Sequence, residues 1–452
     1  MAGSDKQKKK KSGMRRKRER TPLVSVLAVA ALLVVCVIFV SVRYKGESDG
    51  GDAVTENTVS EQIIRSQPPE TTIVVEVDEP PADVEETPVP KVPAVKVRGI
   101  YIDAWSASVE GSLTQFIEIC SSSEINAIVI DVKDDFGKIT FISDNDSLSA
   151  ASSNKIPNIE QVLSRLKEHG IYVIARLVCF KDPLCGKLNP ELAIHDKAGD
   201  TWKDTAGMEW LDPYNAQSWE YIATVAKEAA RVGFDEIQLD YVRFPAEGNL
   251  GDMDFGAAAN EKTKAEIIGD FLGFIRDSLA TTPAWLSADA FGIIAVSEGD
   301  FENIGQDLDI LLQSADYVCP MIYPSHFANK RQNGVGQIIN DVLFEIPDIE
   351  PYKVVFNILQ TVRNRLSEDE NNAGIRPYLQ AFTASYLESG YYQTYTAQQV
   401  YEQIQAVYDT GFDEWILWNP SGDINIYENV RSLISSENSA GSSSGTPAVN
   451  NA

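Results

Sequence analysis

Between residues 97 and 420, short apolar runs rich in β-branched residues alternate with longer stretches whose apolar positions recur at helical spacing. The runs are "VRGIYIDAW" (97–105), "NAIVIDVKD" (126–134), "IYVIARLVCF" (171–180), "DEIQLDYVRF" (235–244), "WLSADAF" (285–291), "DYVCPMIYP" (316–324), "RPYLQAF" (376–382) and "EWILWNP" (414–420). Helical periodicity fills the intervals at 158–168, 216–231, 258–280 and 397–409. Residues 351–366 begin like a strand, but Val354, Val355, Ile358, Leu359 and Val362 recur at helical spacing, and Pro351 suits a first turn. Strands that alternate with helices predict parallel β/α units. Eight of them predict an α/β fold, a (β/α)8 TIM barrel over residues 97–435.

The two ends follow different patterns. Residues 23–42 are twenty consecutive uncharged, mostly aliphatic positions. A helix of that length spans about 30 Å, the hydrocarbon thickness of a bilayer. Residues 1–21 hold ten Lys or Arg against Asp5 and Glu19, and such a basic flank stays on the cytoplasmic side. Ala28-Val29-Ala30 imitates a signal-peptidase site, yet apolar residues continue well beyond it. Val35 stands where a lipoprotein box before Cys36 needs a small residue. The expected organisation is therefore a cytoplasmic tail (1–21), a retained transmembrane helix (22–43), an acidic Pro-rich linker (44–96), the barrel, and a disordered tail (436–452). This makes a single-pass protein of the cell membrane, with its barrel outside the cytoplasm.

Charge and cysteines narrow the function. The net charge of −27 includes the basic tail, so everything after residue 21 sums to −35. No basic surface is left for nucleic acid, and acidic excess of this kind commonly serves solubility. Five cysteines are too few for a disulfide scaffold, and a local bridge between Cys179 and Cys185 is left open. Only His169, His195 and His326 occur, with no close-spaced pair of the kind zinc hydrolases use. Phosphate-binding and dinucleotide glycine motifs and the G-x-S-x-G elbow are missing, and no cofactor is expected. Oligomeric state leaves no signal.

In such barrels the working groups sit where the strands end. The last polar residues of the runs are Asp103, Asp131, Arg176, Asp240, Asp289, Tyr323, Gln380, and Trp418 with Asn419. One Asp after a strand is commonly a helix cap. Four of them on one face are costly unless hydrogen-bonded or functional. Asp240 interrupts the apolar run "IQLDYV", with Arg243 three residues on as a candidate partner to keep it ionised. Asp289 ends the next strand, about 4.8 Å away, near the separation of the two acids in retaining glycosidases, with an inverting spacing left open. Trp105, Phe291, Tyr323 and Trp418 offer faces for sugar rings, and Lys133 and Arg176 offer donors for hydroxyls.

With "INAIVIDVKDDFGKITF", "ARLVCFKDPL", "GFDEIQLDYVRFP", "RPYLQAF" and "GFDEWILWNP", residues 97–430 resemble a bacterial glycosyl hydrolase domain family of otherwise unknown function. The resemblance implies a TIM barrel distantly similar to alpha-amylase-like glycosidases, with Asp240 as nucleophile and Asp289 as acid/base. It also implies an Asp after the strand-seven Gln, where this chain has Ala381. The expected function is cleavage of a glycosidic bond in wall or capsular polysaccharide. Asp103, Asp131, Lys133, Arg176, Tyr241, Arg243, Tyr323, Gln380 and Trp418 are expected to bind substrate, and no metal is assigned. Two rivals remain: a non-catalytic carbohydrate-binding barrel, and a lyase or isomerase holding a divalent ion through Asp103, Asp131, Asp240 and Asp289.

Overall fold

The computed structural model describes residues 88–300, 303–366 and 372–443. The predicted membrane helix, the basic tail and most of the linker lie outside the described residues. Among the described residues, no helix is long and apolar enough to cross a membrane.

Eight parallel strands close into a barrel: β1 (Arg98–Ile102), β2 (Ala127–Lys133), β3 (Tyr172–Val178), β4 (Glu236–Asp240), β5 (Trp285–Phe291), β6 (Tyr317–Ile322), β7 (Tyr378–Gln380) and β8 (Trp415–Trp418). Each is hydrogen-bonded to the next, and β8 pairs with β1 to complete the ring. One main helix follows each strand: α1 (Glu110–Ser121), α2 (Ile159–Glu168), α3 (Ala216–Val232), α4 (Lys264–Ser278), α5 (Leu308–Ser314), α6 (Pro351–Arg365), α7 (Ala397–Asp409) and α8 (Ile424–Ser443). Local chemistry sets several ends. Thr263 with Glu266 and Thr396 with Gln399 form capping boxes that start α4 and α7, and Gly233 takes the left-handed conformation that stops α3.

Because strand side chains alternate in direction, each barrel strand feeds two cores. Outward residues such as Ile128, Ile130, Val173, Ile237 and Leu239 join the large core beneath the helices. Val129, Ile174, Cys319, Tyr378 and Ile416 join a separate lumen core. The lumen of β4 reads Glu236, Gln238, Asp240 from bottom to top. Glu236 binds Arg376, Gln238 accepts from the Tyr378 hydroxyl at 2.5 Å, and Asp240 binds Arg176. A hydrophobic strand thus carries three polar residues, one for each layer.

Two predicted boundaries move. The end of the linker is part of the fold: Val89 and Val92 donate their amides to Ala280 and Pro283, and the Trp285 indole donates to the Val92 carbonyl. With Val92 and Val95 packed on the lumen core, this segment covers part of the pole where the strands begin, the sealed pole of the barrel. At the other end, α8 runs to Ser443, past the predicted boundary at 435. Cys179 and Cys185 are both free and buried, so the bridge left open by the sequence is not formed. Two small sheets were not predicted: a hairpin of Gln337–Ile339 with Val342–Phe344, and a pairing of His195–Asp196 with Met253–Asp254.

Candidate active site

At the strand ends the lumen opens into a cavity of about 1590 Å³. Arg176, buried at the end of β3, organises its floor. The guanidinium donates from Nε at 2.9 Å and from an Nη at 2.6 Å to one oxygen of Asp240. Its other Nη donates to Asp131 at 2.8 Å, while Asp135 lies 3.5 Å away. The Tyr101 hydroxyl donates to the second oxygen of Asp131 at 2.6 Å. Trp418 closes this side, 4.1 Å from the Tyr101 ring and 5.4 Å from the guanidinium.

The second oxygen of Asp240 accepts from the amide of Tyr241 at 2.6 Å. That contact depends on a left-handed backbone at Tyr241, φ +50°. A bulky residue adopts it only under strain, and such strain tends to collect where a chain does work. Lys181 holds the Tyr241 ring in place, 3.4 Å from its hydroxyl and 3.7 Å from Asp135. Burial opposes ionisation of Asp135, but Arg176, Lys181 and the Tyr241 hydroxyl outweigh it and hold its pKa below the ordinary value. Burial pushes Asp131 up to about 6, against the pull of Arg176 and Tyr101.

Asp289 sits beside Asp240. In the β4–β5 register, Leu239 pairs with Ala288, which puts the two acids at matching positions on neighbouring strands. Asp289 is 2% exposed and lines the cavity, and its Oδ1 has no hydrogen-bond partner among the described residues. Burial first, and the charge of Asp240 second, raise its pKa well above the ordinary carboxylate value. The site therefore holds one carboxylate fixed by a cation and, beside it, one carboxyl whose burial favours the neutral form.

Asp103, Asp131, Arg176, Tyr241, Arg243, Tyr323 and Trp418 all line the cavity with Asp240 and Asp289. Asp103 does so from the rim, where it caps the turn Ala104–Ser108 through the amide of Ser106. Three expectations fail. Lys133 is fully buried away from the cavity, 2.7 Å from Asp182 and bonded to the Val178 carbonyl. Simple alternation from Asp131 would point it inward, but the register shifts between Asp131 and Lys133, and the bulge turns it out. Gly137 makes room for this pair, since a Cβ there would lie 2.0 Å from the Asp182 carboxylate. Gln380 is fully buried too, its amide consumed by Ser325, Asp348 and the Phe382 carbonyl. Arg243 does not pair with Asp240. It lies across Phe291, Trp210 and Tyr241 and donates to the Phe244 carbonyl, leaving Arg176 as the cation.

Sequence reasoning missed Asp135 and Lys181, which lie in loops two and three residues beyond the ends of β2 and β3. Ala381 lines the cavity where the resemblance implied an acid. The arrangement does not fit a divalent ion. Arg176 occupies the space between Asp131 and Asp240, and no group of three metal-binding side chains converges among the described residues.

A family described as "Putative glycosyl hydrolase domain" matches residues 99–424. No curated protein matches the chain. Among solved structures, a hypothetical protein from Ruminiclostridium thermocellum is 40% identical, over 42% of this chain and 96% of its own, with a TM-score of 0.39. The glycoside hydrolase domain of PgaB (BpsB) from Bordetella bronchiseptica is 14% identical, over 75% of this chain and 99% of its own. At a TM-score of 0.54 it shares the barrel fold. The match over most of the barrel shows that the chain belongs to this glycosyl hydrolase domain family.

Proposed function

We propose that the barrel is a retaining glycoside hydrolase acting on wall or capsular polysaccharide, with Asp240 as nucleophile and Asp289 as acid/base. One observation carries the reading: the Asp240 carboxylate, gripped by Arg176, stands beside the buried Asp289 carboxyl, whose pKa burial raises well above the ordinary value, in register on adjacent strands. Adjacent strands are about 4.8 Å apart, which suits the ~5–5.5 Å of retaining enzymes better than the wider inverting gap.

In the first step an Asp240 oxygen attacks the anomeric carbon. The glycosidic bond breaks as the Asp289 proton passes to the departing oxygen, leaving a glycosyl ester on Asp240 and a carboxylate on Asp289. The ester has no charge, so the repulsion that raised the Asp289 pKa falls away. Asp289 is then poised to take a proton from water, which attacks the same carbon, releases the sugar and restores both acids. Arg176, with Asp131 and Tyr101 behind it, fixes the nucleophile, and the Tyr241 amide sets its second oxygen. Tyr241, Arg243, Tyr323 and Trp418 shape the sugar site, and Asp103 borders it.

The same reading includes the predicted tether. A single N-terminal span would hold the barrel outside the membrane on its acidic linker, a location that suits a surface polymer. The chain enters the described fold at the sealed pole, opposite the cavity, so the tether would leave the mouth clear. Release of oligosaccharide from purified wall or capsular polymer is the test. Wild-type protein should liberate new reducing ends, and Asp240→Ala should not. Equal binding without release by both would favour the carbohydrate-binding rival.

A further inference from the structure

The cavity reaches well beyond the Asp240–Asp289 pair. Its volume of about 1590 Å³ exceeds the ~300–1,000 Å³ of pockets that enclose one drug-sized ligand. On the side formed by the β1 and β8 loops, Trp105, Asn425, Ile426 and Asn429 line its wall. Trp105 is 73% exposed. Its counterpart near the floor, Trp418, is covered by Tyr101 and Arg176. An indole that open leaves a large apolar face in water with no packing return. Asn425 and Asn429 stand four residues apart on α8, hence on one face of it. The nearby acids are engaged locally: Asp103 caps the turn carrying Trp105, and Asp423 accepts from Asn425.

We propose that Trp105, Asn425 and Asn429 form a distal sugar-binding subsite for a neutral pyranose unit of a glycan chain that continues past the cleaved bond. The indole face matches the C–H face of a pyranose, and the two carboxamides match its ring hydroxyls as donors and acceptors. A chain held at both places is cut internally rather than trimmed from its end. This inference rests on the glycoside hydrolase reading.

The test uses ladders of neutral oligosaccharides from one to eight rings, in the chito-, cello-, malto- and galacto- series. Binding is measured with full-length Asp240→Asn, and products with the wild type. On the series recognised, affinity should climb as rings are added. Adding Trp105→Ala to Asp240→Asn should cut the long-to-short affinity ratio about tenfold. The first wild-type products should be oligosaccharides. An unaltered ratio, or a monosaccharide as first product, overturns the subsite while leaving hydrolysis intact. Trp105-dependent binding of long chains with no cleavage keeps the subsite and removes the hydrolase reading. If no ladder binds at all, both fall. Trp105 is exposed, so its replacement leaves the core packing in place.

Discussion

The lumen holds an arginine between two acids twice, once at each pole. At the open pole Arg176 bridges Asp131 and Asp240. At the sealed pole Arg376 donates to both oxygens of Glu236, at 2.7 and 2.9 Å, and from Nε to Glu414 at 2.9 Å. Tyr317 stacks 4.0 Å from that guanidinium, and Tyr172 donates to Glu236. In composition the two clusters are near twins. What separates them is balance and access. Around Arg376 two acids meet one arginine, with Lys96 3.8 Å from Glu414 as a second cation. Around Arg176 four acids, Asp131, Asp135, Asp240 and Asp289, meet Arg176 and Lys181, and one of them, Asp289, lacks a cation of its own. A buried ion pair alone therefore marks no active site. An extra carboxyl, buried without a cation of its own and facing a cavity, does.

Substitutions at the two poles should fail in different ways. Asp240→Ala should lower turnover by about 10⁴-fold or more, because the covalent step is lost. Its thermal midpoint should fall less than that of a sealed-pole variant, because Asp131 and Asp135 still hold Arg176 and the charge that burdens Asp289 is gone. A large drop in melting with near-normal turnover would make Asp240 a structural partner of Arg176 alone. At the sealed pole, Glu236→Ala should reverse the pattern. Removing one member of a buried pair costs about 3–5 kcal/mol, so denaturant melts should shift strongly while activity per folded molecule persists.

Asp289→Asn sharpens the contrast, since it should hurt catalysis and help folding. Substrates with poor leaving groups should lose about 10²–10⁴ in rate, and activated aryl glycosides much less. For stability the sign follows from the raised pKa. Below the ordinary value of 3.8 the carboxyl is neutral whether folded or unfolded. As pH rises, only the unfolded chain ionises, so the folded state loses stability until its own pKa is passed. Asn escapes that loss. The variant should melt about 2–4 °C higher at pH 7, with the gain fading toward pH 4. A lower midpoint at pH 7 would show that Asp289 is satisfied by a partner.

Smaller effects test the supporting groups. Asp131, raised to about 6, takes a proton below that pH and loosens its grip on Arg176. The kcat/KM profile should fall on the acid side near pH 6, and Asp131→Asn should move that limb lower. Lys181→Met should cost about tenfold in kcat with little change in KM, since it acts through Tyr241 and Asp135; an unchanged kcat would remove it from the positioning set.

The alternation of apolar runs and helical stretches made the eight β/α units legible, because a barrel strand buried on both faces cannot be written any other way. Asp131, Arg176, Asp240, Asp289 and Trp418 were legible for the same reason: a polar residue closing an apolar strand has only the mouth to go to. Position near a strand end misled at Lys133, where a bulge reverses the face, and at Gln380, whose amide is claimed by loops distant in sequence. The cation beside Asp240 was misread because spacing along one chain favoured Arg243, whereas parallel register supplies Arg176 from the neighbouring strand. Asp135 and Lys181 lie in loops, where no periodicity points. Val92 and Lys96 look like linker by composition, yet Val92 packs against the lumen core and the exposed Lys96 pairs with Asp413 and Glu414.

Covalent trapping tests the central claim most directly. Wild-type protein incubated with a panel of 2-deoxy-2-fluoroglycosyl fluorides should accumulate a glycosyl ester, located by peptide mass spectrometry on Asp240 and lost in Asp240→Ala. An ester on another carboxylate, or no ester from a sugar series whose unfluorinated members the enzyme hydrolyses, would contradict the assignment of Asp240 as nucleophile.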